Sequence, residues 1–180
     1  MGGRKLKSRT IKRVLIARGL TPVIRRRIRR NNQNMVAVMV TEIGGEAMSN
    51  KKLGSSFETE LCEILSMYDF WCHNMAQNAA GQPADVIAVR NGKAYLIDCK
   101  VCSTDKGFAL SRVEENQDLA MDRWQECGNG QGWFAMKLPT NDILMLPHLC
   151  VRAFQKRKSY LSLSEIYEMG KPIEKWVMKV

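Results

Sequence analysis

Residues 83–100 read Pro-Ala-Asp-Val-Ile-Ala-Val-Arg-Asn-Gly-Lys-Ala-Tyr-Leu-Ile-Asp-Cys-Lys. Two apolar runs, Asp85 to Val89 and Lys93 to Val101, flank Asn91-Gly92. That dipeptide is a strong hairpin signal, because both residues tolerate the positive φ a two-residue turn demands. With Asn91 and Gly92 as the loop, Arg90 pairs with Lys93, every later pair sums to 183, and Asp85 lies opposite Asp98. Carboxylates facing one another with Cβ atoms ~5 Å apart repel and weaken a sheet unless something neutralises them. Ile87, Val89, Leu96 and Ala94 share their face, so the pair stands at the edge of an apolar surface. Lys100, two residues beyond Asp98, points the same way. A hard divalent cation with oxygen ligands resolves the conflict. An ammonium beside it orients a water or stabilises charge developing on a phosphate. The plain alternative is a pair of partly solvated carboxylates with Lys100 as their salt-bridge partner, and a register slip of one residue would separate the pair.

Outward from this hairpin, Phe57, Leu61, Ile64, Leu65 and Tyr68 recur at helical spacing after Gly54, with Ser55 and Ser56 as N-cap candidates. Glu58 flanks that apolar stripe in the first turns, whereas Glu60, about 200° round the helix, is expected to face solvent. Alone, Glu58 reads as an ordinary surface glutamate; its value comes from the company of the two aspartates. A strand is predicted near Phe70 to Asn74, then a polar loop from Gln77 to Pro83. Beyond the hairpin come a helix from Val113 to Cys127, ended by Gly128-Asn129-Gly130, and strands over Gly132–Leu138 and Ile143–Leu146. The tail holds a basic knot, Gln155 to Lys158, and a short helix from Ser164 to Met169. Helix, three strands, helix, two strands, helix describes an α/β domain around a mixed sheet.

Charge is distributed unevenly. Residues 1–52 carry 14 of the 28 Lys and Arg residues against two acids, Glu42 and Glu46, while the remainder of the chain is slightly acidic. The basic character therefore belongs to an N-terminal arm, 1–50, ahead of a domain spanning 51–180. Such an arm suits a polyanion, since each phosphate neutralised releases counterions. Within it Arg25, Arg26, Arg27, Arg29 and Arg30 form an arginine-rich run, for which a solvated tail is the alternative reading. Met35 to Val40 fits a strand or a helix end equally, Gly44 to Asn50 reads as a linker, and Met48 is a candidate start for the catalytic unit. Six cysteines include one Cys99-x-x-Cys102 without a second pair at zinc-ribbon spacing, and His73 and His148 flank nothing metal-like. Buried structural thiols in a cytoplasmic chain are the expectation. No apolar run approaches the ~20 residues that span a bilayer.

Gly54-Ser55-Ser56-Phe57-Glu58, then Pro83-Ala84-Asp85, then Asp98-Cys99-Lys100 resembles the PD-(D/E)XK nuclease signature. The opening from Gly54 to Leu61 is similar to archaeal Hjc-type Holliday-junction resolvases. Glu115-x-Gln117-x-x-x-Met121, the Gly132-to-Leu138 strand and Arg157-Lys158-Ser159 leading to Pro172-Ile173 resemble bacterial RecU and its phage relatives. The resemblance covers roughly residues 51–174. It implies a restriction-endonuclease-like mixed sheet flanked by helices. It also implies a nuclease in which Glu58, Asp85 and Asp98 bind Mg²⁺ (with Mn²⁺ as a substitute) and Lys100 is the catalytic lysine. Gln117 contacts substrate or steadies the site on this view, with a plain helix-surface glutamine as the alternative. Asp98 stands where many relatives have Glu. The substrate implied is a four-way junction or other branched DNA, and the partner a second copy of the chain. RecU carries a long stalk where only about 15 residues, Phe70 to Ala84, stand here, so the stalk is short or absent. VRR-NUC-type enzymes offer a second nuclease reading through Gly81-Gln82-Pro83-Ala84-Asp85. A non-catalytic DNA binder is the more distant alternative, and a pure binder has no need of opposed carboxylates.

Overall fold

The computed structural model describes residues 50–75 and 82–180, which belong to a compact unit beginning at Met48. The arginine run 25–30 and the segment 35–40 lie outside the described residues, as does most of the polar loop before Pro83.

Helix α1 runs from Asn50 to Ser66. It starts seven residues before Phe57, the first residue of the apolar stripe, so Ser55 and Ser56 lie inside it and are not its caps. Lys51, Lys52 and Leu53 are good helix formers that carry the helix through, and Gly54 has open space around it. Phe57, Leu61 and Leu65, spaced by four, are its buried residues. Strands β1 (Trp71–Asn74), β2 (Val86–Arg90) and β3 (Lys93–Val101) follow as an antiparallel meander. Asn91 and Gly92 both have positive φ, 53° and 73°, as a type I′ turn requires. The register is the one read from the sequence: Arg90 pairs with Lys93 and Val86 with Ile97.

The chain then crosses over. A two-residue strand β4 (Phe108–Ala109) and a 3₁₀ turn (Leu110–Arg112) lead into α2 (Glu115–Glu126). Strand β5 (Trp133–Lys137) returns parallel to β3, and β6 (Ile143–Pro147) runs antiparallel to β5. Next come α3 (His148–Gln155), β7 (Tyr160–Leu161), α4 (Leu163–Met169), β8 (Lys171–Pro172) and α5 (Ile173–Trp176). Among the described residues the main sheet has six strands in the order β1-β2-β3-β5-β6-β8, and β4 pairs with β7 as a separate ribbon. The mixed sheet is thus as expected, but α3, the paired short strands and α5 were not read from the sequence.

Both faces of the sheet carry a core, fully so over its central strands. On one, Phe57, Leu61 and Leu65 of α1 pack against Val86, Ala88, Ile97 and Ala135, with Trp176 of α5 in the same cluster. Trp176 stacks on Phe70 at 5.9 Å and meets the edges of Tyr95 and Trp133 at 5.3 and 5.4 Å. On the other, Leu96, Phe134, Met136 and Leu146 meet Met121 of α2, Val151 of α3 and Ile166 of α4.

The β4–β7 ribbon depends on Gly107. Its φ is +96°, and a Cβ there would lie 2.0 Å from the Leu161 carbonyl oxygen. Gly107→Ala is expected to cost roughly 2–4 kcal/mol, since it combines a disfavoured backbone conformation with a collision against main chain. Urea unfolding measures this, and a loss within the scatter of ordinary surface substitutions would contradict it.

Candidate active site

Regular β2–β3 pairing ends at Val86–Ile97. Just beyond, the Asp85 amide donates to the Ile97 carbonyl at 3.1 Å, and the Asp85 carbonyl accepts from Met75 at 2.8 Å. The Asp85 carboxylate turns back on β3 and accepts the Cys99 amide at 2.6 Å. Alternation along β3 sends Ile97 and Cys99 toward the α1 face and Asp98 and Lys100 toward the α2 face. The β2–β3 pairing thus stops one step short of the expected Asp85–Asp98 pair, but the two carboxyls lie close enough for each to disturb the other's ionisation.

Asp98 is fully buried, and its Oδ1 accepts no hydrogen bond among the described residues. Lys100 Nζ lies 2.7 Å from Asp98 Oδ2 and donates at 2.9 Å to Gln117 Oε1. Gln117 is held in turn: its Oε1 also accepts the Glu114 amide at 3.2 Å, closing a capping box at the start of α2. Gln117 therefore steadies the lysine and is not a plain surface residue. The alternative of two partly solvated carboxylates fails for Asp98, which has no exposure. Glu58 sits half-buried on α1, near enough to Asp85 to feel its charge.

The electrostatics follow from this crowding. Burial pushes the Asp98 carboxyl up to about 7, with Asp85 adding to the shift and Lys100 opposing it. Burial also raises Asp85, against the Cys99 amide and Lys100, and raises Glu58 with help from Asp85. Two carboxyls share one ammonium in a poorly hydrated corner, with Glu58 near enough to feel Asp85, an arrangement that favours either protonation or a divalent cation. Among the described residues no three Asp, Glu, His or Cys side chains are drawn round a common point as a finished metal cage. The donor set nevertheless fits a hard cation: all oxygen, two neighbouring carboxyls, and a buried Asp98 Oδ1 without a hydrogen-bond partner among the described residues.

Several features here were not read from the sequence. Glu60 does not simply face solvent but pairs with Lys137 at the end of β5. Helix α2 is braced by Asp118, which pairs with buried His148 and with Arg152 at 3.4 Å, while Arg152 also binds Asp122. The i, i+4 spacing of Asp118 and Asp122 was the available signal for that brace. Cys99 and Cys102 remain free thiols, in keeping with a structural role.

Comparison with known proteins now bears on the site. The family model for the archaeal Holliday junction resolvase, Hjc, matches residues 49–178. The chain belongs to the Hjc family. It is accordingly a junction-resolving nuclease, a crossover junction endodeoxyribonuclease, and Hjc-type resolvases are metal-dependent. Its fold is similar to that of the Archaeoglobus fulgidus Hjc, a Holliday junction resolvase from an archaeal hyperthermophile. The two are 19% identical with a TM-score of 0.55, over 69% of this chain and 99% of that one. Weaker likenesses, which carry no argument, are to the protein of unknown function AF1548 (19% identity, 46% of each chain, TM-score 0.33) and to SSO0001 (16% identity, 85% and 75%, TM-score 0.34). No curated protein matches the chain. Among the described residues no helix is long and apolar enough to cross a membrane.

Proposed function

We propose that this Hjc-family chain cleaves four-way DNA junctions by Mg²⁺-assisted hydrolysis at Glu58, Asp85, Asp98 and Lys100. The observation that carries the reading is the buried Asp98, paired with Lys100, which Gln117 holds from α2. Glu58, Asp85 and Asp98 would hold the cation, with Mn²⁺ able to replace Mg²⁺. When bound, that ion polarises the scissile phosphate and acidifies a nearby water. Water adds to phosphorus, the bond to the leaving sugar oxygen breaks, and that oxygen takes a proton. Lys100 has its ammonium fixed by two acceptors, so it meets the developing phosphate charge without reorganising.

Symmetric resolution needs two such sites, and a homodimer with two-fold symmetry supplies them. We assign residues 1–50 as a basic arm whose Arg25, Arg26, Arg27, Arg29 and Arg30 contact phosphates, and 51–180 as the nuclease domain.

The test is cleavage of a synthetic four-way junction beside a linear duplex and a flap of the same sequence, with Mg²⁺ and with EDTA. Paired symmetric nicks in the junction, lost with EDTA, are the expected result. Equal cutting of all three substrates would favour the VRR-NUC-like reading, and binding without cutting would sink the assignment of the catalytic residues.

A further inference from the structure

The α2 face of the sheet is covered unevenly. Helices α2, α3 and α4 bury it over β3, β5 and β6. Over β1 and β2 no helix among the described residues covers it: Ile87 and Val89 are half-buried, and Trp71 and His73 are exposed. Pairing settles which face these residues occupy, since Trp71 lies opposite Val89 and His73 opposite Ile87. That is also the face of Asp98 and Lys100, while Cys72, between the two rings, packs into the opposite core.

Trp71 is 63% exposed, an unusual placement for the largest apolar side chain, and it belongs to neither core cluster. Its indole lies nearly parallel to the His73 imidazole, 10° between planes and 6.0 Å between centroids. One side of the indole thus neighbours the imidazole and, among the described residues, the rest is largely exposed, a geometry that suits a flat aromatic ligand. From Val89 to Asp85 is four residues of strand, about 13 Å, equal to the rise of about four nucleotides.

We propose that Trp71, stacked on His73, is a platform for an unpaired or unstacked nucleobase of the branched substrate, a few nucleotides from the scissile phosphate. The proposal rests on DNA lying across the Asp85–Asp98 end of this face. Duplex hides the faces of its bases, whereas a branch point exposes some, so the platform supplies structure selectivity without reading sequence. Stacking is its contribution.

The experiment uses the full chain and a four-way junction carrying 2-aminopurine at the bases flanking the crossover, with unlabelled duplex as competitor. Wild type is expected to change the 2-aminopurine emission on binding, and Trp71→Ala to lose that change. The preference of Trp71→Ala for junction over duplex should fall about 10-fold, with most of it kept in Trp71→Phe. Unchanged emission and unchanged preference in Trp71→Ala would overturn the platform while wild type still cuts junctions. A wild type that neither binds nor cuts junctions would instead overturn the functional reading beneath it. Sedimentation of the same samples separates a third result: if Trp71→Ala turns dimer into monomer, the residue is a contact between copies and the base platform is wrong.

Discussion

Asp98→Asn is expected to lower junction cleavage by roughly 10³-fold or more and, at the same time, to stabilise the metal-free protein. The first effect follows from the proposed role of Asp98 as the most buried of three metal-binding carboxyls. An amide keeps the shape and one oxygen but loses the negative charge that draws in a divalent cation. The second effect follows from burial alone. A fully buried carboxylate beside a second carboxylate is costly, and one ammonium at 2.7 Å only partly offsets it. The neutral amide removes that cost and can still accept from Lys100. A gain on the order of 2 kcal/mol at pH 8 is expected, read by urea unfolding in EDTA. Loss of stability together with loss of activity would mean that Asp98 matters for the fold and would remove the case for a strained metal site.

The pH dependence of the metal-free protein carries the same sign. Asp98 titrates near 7 when folded, well above an ordinary aspartate, so the native state holds a proton that the unfolded state has already released. Between about pH 4 and pH 7 the native chain therefore binds more protons, and this residue's contribution to stability falls as pH rises through that window. Above 7 the penalty is complete and the contribution levels off. Acidification from pH 8 to pH 5 should thus stabilise the wild type relative to Asp98→Asn. Mg²⁺ should raise the stability of wild type most above pH 7 and add little to the variant.

How much of this was legible beforehand depended on how local the cause was. Asn91-Gly92 fixed a turn, the turn fixed a register as far as Val86–Ile97, and that register brings Asp85 and Asp98 to the same end of the hairpin. Every step in that chain is short-range. Gln117 was legible only as a candidate, because the lysine it holds is 17 residues away on another element. The parallel pairing of β3 with β5 was not legible, since nothing local encodes which strand a crossover returns to. Helix α3 was hidden for another reason. Its eight residues bury only His148 and Val151, too few to make a periodic stripe, and a basic run follows directly. Strands β4, β7 and β8 have two residues each and exist only because their partners are present. The ion pair between Glu60 and Lys137 joins positions 77 apart, beyond any pattern along the chain.

Lys100→Met tests the other half of the buried pair, and it should behave oppositely in stability while sharing the loss of activity. Methionine fills much of the lysine's volume but supplies no charge, so junction cleavage should fall by roughly 10²–10³-fold. Removing the ammonium leaves Asp98 buried beside Asp85 with no cation, a change that costs about 3–5 kcal/mol where the charge must stay. The carboxyl has an escape, which is to keep its proton. Keeping that proton about one pH unit above its ordinary folded value limits the extra cost, so Lys100→Met should lose about 1–2 kcal/mol at pH 8 and be close to wild type at pH 5, where Asp98 is already protonated. Gln117→Ala removes only the second acceptor of the ammonium, so it should show a smaller loss of activity, about 10-fold, with no such pH dependence. The decisive comparison is the double variant Asp98→Asn, Lys100→Met. If the two groups form one unit, neutralising Asp98 removes the reason for needing the lysine, and the double variant should regain the stability that Lys100→Met alone loses at pH 8. Additive losses would show instead that the lysine supports the fold through its packing, and the electrostatic account of the site would then be wrong.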